Sequence, residues 1–266
     1  MLATRSAARG AVADPIRPYL AYLRLEVRRA FRNRRYLVMT VVFPLVIYLL
    51  YTAVLPADGG DGTTVDGLTW PLVFLVSMAA YGAIGAAMSQ AVPVAMERRT
   101  GWTRQLRVTP LPGWAYVAAK AVTAIIVTVP SVALVVGVGS MVNHLGIGLG
   151  DALPIVVAMA LGAAPFAAIG LVIGYLLDAE SAQGGMVLTL FTMAILGGLF
   201  VPLAAVPPVM ATIGNMLPSS HLANLGRAAA AGHGPAALDV AVLVAWTVAA
   251  GALATWAYRR DERAGS

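Results

Sequence analysis

Residue types able to do chemistry are few in this sequence, and none of them forms a recognised motif. Lys120 is the only lysine, and the phosphate-binding pattern Gly-x4-Gly-Lys-[Ser/Thr] is absent. The chain is therefore not expected to hydrolyse ATP. No two of His144, His221 and His233 lie one helical turn apart, so a metal site is not indicated. Cysteine is absent, and spacing alone neither assembles nor excludes a Ser-His-Asp triad.

A polar segment, residues 97–111, separates two long apolar runs and reads ERRTGWTRQLRVTPL. Trp102 and Leu106 give it a short apolar stripe, and Pro110 predicts the end of a helix because the residue before a proline disfavours helix. Such a helix could dock into a groove on a soluble partner, with Glu97 and the arginines fixing the register. Judged by charge pattern alone, a solvated basic loop is the alternative.

Residues 17–35 form a second patterned segment. Leu20, Leu23, Val27 and Phe31 recur at helical spacing, and arginines occupy another face. This pattern predicts an amphipathic helix in the cytoplasmic interface, beside anionic lipid headgroups. A plain topology signal is the alternative interpretation.

Composition shows what must position these segments. Of the 266 residues, 59% are hydrophobic and 11% are charged, and the mean hydropathy is +0.80. A soluble domain is about a quarter charged, so lipid contact must replace the missing charge. A spanning helix needs roughly 20 apolar residues, which predicts an all-α, polytopic membrane protein, one domain over 1–266 with six transmembrane helices. The predicted spans are about 36–57, 68–96, 115–142, 153–177, 183–203 and 237–258.

The basic residues predict the orientation of the spans. Nine arginines precede the first span, four arginines and Lys120 follow the second, and three arginines follow the sixth, which leaves Arg227 alone on the other side. Lysine and arginine collect on the cytoplasmic face, so both termini are predicted to be cytoplasmic. A cleaved signal peptide is disfavoured because the basic leader is 35 residues long and a signal peptide has an apolar run of only about 7–15 residues.

Methionine-containing faces on the second and fifth spans are candidates for a substrate pathway, because methionine adapts to varied apolar shapes. Contact with lipid or with other helices is the alternative. The small-xxx-small pattern of Gly170 and Gly174 favours close helix packing, either within the chain or between two copies. The candidate pathway residues are Met78, Tyr81, Met88, Met186, Thr189 and Met193.

Taken in order, several motifs resemble the permease subunit of type-2 ATP-binding-cassette (ABC) exporters, the family of daunorubicin-type drug exporters and polysaccharide exporters. The resemblance covers nearly the whole chain, and the polar loop is its most specific part. The motifs are Arg28–Arg35 (RRAFRNRR), Phe43-Pro44-Leu45 in the first span, Glu97–Gly101 (ERRTG), Leu106–Leu111 (LRVTPL), Tyr116 and Lys120 at the third span, and Leu217-Pro218 after the fifth.

The resemblance implies a role for each segment. Residues 17–35 would be a connecting helix, 97–110 a coupling helix that contacts the ATPase, and 204–235 an external re-entrant segment. Pro44, Pro110 and Lys120 would be structural. The coupling contacts would be Glu97, Arg98, Arg99, Thr100, Gly101, Trp102, Arg104 and Leu106.

The resemblance also implies partners. Two permease copies would pair, more readily as a homodimer than as a heterodimer, with the pathway lined by their second and fifth spans. Two copies of a separate ABC ATPase would hold Mg-ATP, so this chain needs no cofactor. Membrane lipids are the other expected partner, and nucleic acid is not one.

The function predicted in this way is ATP-driven export of a lipophilic small molecule, such as a drug, antibiotic or lipid-like compound, across the inner (plasma) membrane of a bacterium. Multidrug efflux and antibiotic resistance would be the corresponding physiology. A permease for polysaccharides or glycolipids, from the same family, is the first alternative. A membrane-embedded enzyme or a secondary transporter would need ionisable groups within the spans, and the charge-free stretches hold none. A non-ABC membrane scaffold is the last alternative.

Overall fold

The computed structural model describes residues 16–32, 38–54, 67–102 and 113–264. These ranges are helical and contain no strand, which confirms the all-α prediction for them. A π-helical turn, Val38–Val42, leads into α2, and a 3₁₀ turn, Leu203–Ala205, precedes α9. The helices are α1 (Ile16–Phe31), α2 (Phe43–Val54), α3 (Trp70–Met88), α4 (Ala91–Arg99), α5 (Gly113–Val142), α6 (Leu149–Gly162), α7 (Ala164–Leu176), α8 (Ser181–Leu196), α9 (Pro208–Gly214), α10 (Pro218–Ala230) and α11 (Ala237–Ala264).

Four helical stretches in the described residues are long and apolar enough to cross a membrane, and two shorter apolar helices accompany them. All six follow the order of the predicted spans. Their number and orientation in a bilayer stay predictions. The four long stretches are Trp70–Arg99, Ala115–Val142, Leu149–Leu176 and Ala237–Asp261, and the shorter two are Thr40–Val54 and Ser181–Leu196.

Glycine and proline set the helix boundaries between α8 and α10. Helix α8 ends at Leu196, seven residues before the predicted end of the fifth span, because Gly198 adopts a positive φ of 75° in the turn that follows. Pro208 and Pro218 then begin α9 and α10, positions where proline loses no helical hydrogen bond. Much of the predicted external segment is therefore helical.

Helix α3 forms the centre of the bundle. Every residue from Val73 to Met88 is buried, against α2, α5, α7 and α10 among others. A Cβ added at Gly170 would lie 2.8 Å from the Met88 Cα, and one added at Gly174 would lie 2.6 Å from the Ala91 carbonyl oxygen. The two glycines therefore let α7 approach the α3–α4 junction, so their small-residue pattern serves packing within the chain.

Helix α1 packs against α5, and its most buried residues lie beside the predicted apolar stripe, of which Leu23 also contacts the core. Tyr22 and Glu26 are the buried residues, whereas Leu20 and Phe31 are 54% and 43% exposed. The face of α1 that packs on the bundle carries charged groups, which meet partners on α4 and α5.

Candidate functional site

A cluster of charged side chains joins α1, α4 and α5 at the end of the bundle where α4 ends. We call it the charge cluster: Glu26, Arg29, Glu97, Tyr116 and Lys120. The Lys120 Nζ lies 2.5 Å from Glu26 Oε2 and 2.8 Å from Glu97 Oε1. Lys120 is fully buried, and Glu26 and Glu97 are 3% and 7% exposed. An ionisable group therefore lies inside the predicted third span, contrary to the sequence expectation that the spans hold none.

Arg29 and Tyr116 complete the charge cluster. The Arg29 Nη1 lies 3.4 Å from Oε1 of both Glu26 and Glu97, and the Tyr116 hydroxyl donates a 2.7 Å hydrogen bond to Glu97 Oε2. Two carboxylates thus face two cations, and the charges balance. Burying charges in this way is tolerated only when they are paired and hydrogen-bonded.

Tyr22 of α1 lies beside this cluster. Burial raises its pKa well above the ordinary tyrosine value, and the charges of Glu26 and Glu97 act in the same direction. The hydroxyl is neutral at any physiological pH. Tyr22 therefore adds packing beside the carboxylates, with its ring 6.0 Å from that of Tyr116, and adds no charge.

The predicted coupling residues divide into inward-facing and outward-facing sets. Glu97 points into the charge cluster. The Arg98 guanidinium contacts Asp261 of α11 at 2.9 Å and donates to the carbonyl oxygens of Gly174 and Leu177. These two side chains anchor α4 to α1, α5, α7 and α11, so the end of α4 is attached to most of the bundle.

Arg99 and the residues after it lie nearer the surface. The Arg99 side chain is 63% exposed and lies 3.4 Å from Glu180. Thr100 hydrogen-bonds back to the helix, and Gly101 leaves it with a φ of 72°. The Trp102 ring lies under the Arg29 guanidinium at 5.8 Å. Arg104, Leu106 and Pro110 lie outside the described residues.

The candidate pathway residues lie on two facing helices. Met78, Tyr81 and Met88 of α3 are almost completely buried, whereas Met186, Thr189 and Met193 of α8 are half-buried. An aromatic group connects the two helices, since the Tyr81 ring centroid lies 6.0 Å from that of Phe191 and 5.6 Å from that of Phe200. Phe43 of α2 lies 5.4 Å from Tyr81. The α3 face is therefore covered within one chain, and Met186 and Met193 of α8 pack against the same core.

Two of the three residues that the resemblance marks as structural, Pro44 and Lys120, lie in the described part of the chain. Pro44 is buried at the start of α2, close to Gly82 of α3, where an added Cβ would lie 3.8 Å from the Pro44 Cγ. Lys120 stands at the centre of the charge cluster. Glu26, its second partner, was missed by the sequence analysis, although it is the only acidic residue of α1 and that isolation was the available signal.

A second group of polar side chains lies at the opposite end of the bundle. The sequence analysis considered its histidine, His221, only for its spacing from the other histidines. His221 Nδ1 lies 2.6 Å from Asp239 Oδ1, and His221 Nε2 lies 2.9 Å from the carbonyl oxygen of Asn215. His221 and Asp239 are both buried. Within the described ranges no three His, Cys, Asp or Glu side chains are grouped so as to hold a metal ion.

Comparisons with known proteins agree with this architecture. Residues 63–256 match a family described as ABC-2 family transporter protein. The chain is 25% identical over 238 residues to a Bacillus subtilis (strain 168) protein named "Putative transport permease YvfS". The aligned region covers 89% of this chain and 95% of that protein.

Proposed function

The chain belongs to the ABC-2 family of transporter proteins, and we propose that it is the permease of an ATP-driven exporter of a lipophilic small molecule. That it is a membrane transport subunit follows from the family. The proposal adds the energy source, the direction and the substrate class. In it, the six apolar helices all span the bilayer, with the charge cluster on the cytoplasmic side.

The observation that carries the proposal is the buried contact of Lys120 with Glu26 and Glu97. Glu97 stands in the last turn of α4, immediately before the segment expected to contact an ATPase. Because one buried lysine joins this turn to α1 and α5, a push on residues 97–110 moves all three helices together. Such a rigid connection between a cytoplasmic contact and spanning helices is what a partner-driven transport cycle requires.

The ATPase is proposed to be a separate chain, present in two copies that bind Mg-ATP. The sequence lacks the glycine-rich phosphate loop, and its only lysine is committed to two carboxylates. Arg99 and Trp102, at the exposed end of α4, are the described residues best placed to meet that partner. The inward-facing Glu97 and Arg98 would pass the motion on.

The transport pathway is proposed to lie between two copies of this chain, along α8. Leu188 and Ile195 of that helix are 70% and 53% exposed, whereas Met186 and Met193 lie on its other side, partly buried against the core. The exposed face offers apolar contacts and few hydrogen-bonding groups. A sugar chain would lose hydrogen bonds on it, at roughly 1–3 kcal/mol for each hydroxyl buried without a partner. The apolar face therefore supports the lipophilic class over the polysaccharide alternative.

The test is ATP-dependent uptake of a hydrophobic dye by inside-out vesicles that contain this permease and its ATPase. We expect uptake that stops when the ATPase carries a substitution at its catalytic glutamate. We also expect that bulky replacements at Met193 change which dyes are moved, and that the purified permease alone hydrolyses no ATP. Absence of dye transport, together with a surface glycan retained inside cells that lack the gene, would favour the polysaccharide alternative.

A further inference from the structure

The exposed side of α11 carries an apolar stripe that ends in an aromatic and a cationic side chain. Only 22% of the most apolar stretch of this helix is buried, against 44% to 89% for the other three long apolar stretches. Steps of four residues align the members of the stripe on one side of the helix, and each of them is exposed. They are Val244, Val248, Ala252, Trp256 and Arg260. Because the bundle leaves this side uncovered, it meets lipid when α11 crosses a bilayer.

The length of the stripe matches one leaflet of a bilayer. At 1.5 Å per residue, Val244 and Trp256 are about 18 Å apart along the helix axis, and half of the hydrocarbon core is about 15 Å thick. The apolar stretch of α11 ends at Asp261, so Trp256 and Arg260 lie at the level of the lipid headgroups. The order along the helix, apolar then aromatic then cationic, follows the order of acyl chain, interface and phosphate in a phospholipid.

A groove of about 520 Å³ lies at this end of the stripe, and we call it the α11 groove. It is lined by Ala252, Thr255, Trp256, Arg259 and Arg260. Thr255 with Arg259, and Trp256 with Arg260, form two neighbouring columns with a spacing of four residues, and the small Ala252 lies one turn below them. The Arg260 guanidinium lies over the Trp256 ring, 5.6 Å from its centroid, so the cation is held at the groove.

The two arginines of the groove lack an anionic partner within the described part of the chain. Neither Arg259 nor Arg260 forms an ion pair or a hydrogen bond there, and the one contact of Arg260 is with the Trp256 ring. Asp261, which follows them in the sequence, lies 2.9 Å from Arg98 and is committed to that contact. In the sequence of residues 259–263 (RRDER), three arginines then stand against one glutamate. The groove therefore favours an anion from outside the chain, and arginine pairs strongly with phosphate oxygens.

We propose that the α11 groove binds one anionic phospholipid. Its phosphate contacts Arg259 and Arg260, its glycerol region lies against Trp256, and one acyl chain follows the stripe past Val248. An anionic headgroup is preferred to phosphatidylcholine, because the choline group would bring a third cation beside the two arginines. A lipid is preferred to a free phosphate ion, because only the lipid also covers the apolar stripe. The proposal rests on one part of the proposed function, the placement of α11 across the bilayer.

The test is photolabelling of the full chain in nanodiscs that contain equal parts of phosphatidylglycerol and phosphatidylcholine with identical acyl chains. In one preparation the phosphatidylglycerol carries a diazirine in an acyl chain, and in the other the phosphatidylcholine does. Peptide mass spectrometry then gives the labelling at each position. At residues 244–256 we expect phosphatidylglycerol to label at least about fivefold more, since one arginine near a membrane surface contributes about that factor. Exposed Val157 and Leu161 of α6, a helix without arginine or lysine, should be labelled equally by the two lipids.

Three double variants test the role of the two arginines. Arg259→Gln with Arg260→Gln should lower the preference at residues 244–256 to the equal labelling seen on α6. Arg259→Lys with Arg260→Lys should keep most of the preference, because the charge is retained. Arg24→Gln with Arg28→Gln removes two exposed arginines of α1 and the same net charge, and should leave labelling at residues 244–256 unchanged. Unchanged labelling of α6 in each variant shows that the helices are still inserted.

Three results would overturn the proposal. The first is equal labelling of residues 244–256 by the two lipids in the wild type, and the second is an unchanged preference in the double glutamine variant. The third is loss of the preference when inorganic phosphate is added at constant ionic strength, which would make a free phosphate ion the occupant. Because the nanodiscs hold no ATPase and no exported compound, failed dye transport with intact labelling would reject only the proposed function. Intact dye transport with equal labelling would reject only this site.

Discussion

Replacing Lys120 with methionine should destabilise the protein more than any other single substitution in the charge cluster. The lysine is fully buried between Glu26 and Glu97, at 2.5 and 2.8 Å. Methionine fills similar space without a charge, so two buried carboxylates would keep only Arg29 and Tyr116 as partners. Breaking a buried ion pair by removing one partner costs about 3–5 kcal/mol.

Arg29→Gln is the matched control, because Arg29 approaches the same two carboxylates from the solvent side. Its side chain is 51% exposed, and both its contacts are 3.4 Å long. Exposed ion pairs contribute about 0–1 kcal/mol, so the loss should be several times smaller than for Lys120→Met. Combining Lys120→Met with Glu26→Gln and Glu97→Gln should recover much of the stability, since no buried charge is then left without its partner.

Reversible unfolding of the purified chain in mixed micelles, by titration with sodium dodecyl sulfate, would measure these free energies. The order expected is Lys120→Met least stable, then the triple variant, then Arg29→Gln near the wild type. A Lys120→Met variant within about 1 kcal/mol of wild type would refute the assignment of Lys120 as a buried partner of two ionised carboxylates. So would an Arg29→Gln loss of equal size.

Three further outcomes are expected. Arg99→Ala should weaken binding of the ATPase in a pull-down assay, because that side chain is exposed. Glu97→Ala should leave this binding intact and lower ATP-driven dye transport. The reverse pattern would contradict the division into outward-facing and inward-facing residues. Gly174→Ala should destabilise the chain by about 1–3 kcal/mol through overpacking, since the new Cβ would lie 2.6 Å from the Ala91 carbonyl oxygen. Gly251→Ala is the control and should not destabilise the chain, because a Cβ at that position meets nothing within 4 Å. Backbone amides of Ser181 and Glu180 donate to Asp178 and lower its pKa, so its support of the α8 start should be present above about pH 4 and lost as the pH falls below it. Hydrogen exchange at residues 180–184, corrected for intrinsic rates, should show this change, and Asp178→Asn should abolish it.

The apolar runs predicted the helices well because length and lack of charge are properties of a segment by itself. The helix ends were harder to place, because the end of α8 depends on the positive φ of Gly198. The proline-rich segment was predicted as re-entrant without bounds for any helix in it, and Pro208 and Pro218 begin helices there. A proline marks a boundary in the sequence without showing on which side of it the helix lies.

The sequence predicted most of the residues of the candidate site, but not which of their side chains contact one another. Glu97 and Lys120 were both singled out from the sequence, 23 positions apart, yet nothing in their spacing shows that they touch. Glu26 was missed because the prediction for α1 followed its apolar stripe, and Glu26 lies beside that stripe. A buried polar face follows the same helical period as an exposed one, so only the partners on α4 and α5 distinguish them.

The charge cluster also constrains how the protein is made. Synthesis runs from the N-terminus, so Glu26 and Glu97 leave the ribosome before Lys120, which neutralises both. Until α5 arrives, an inserting chain holds two carboxylates whose buried partner does not yet exist, and they must wait in contact with water at the membrane surface. Helices α1 and α4 therefore complete their shared buried contact only when α5 arrives.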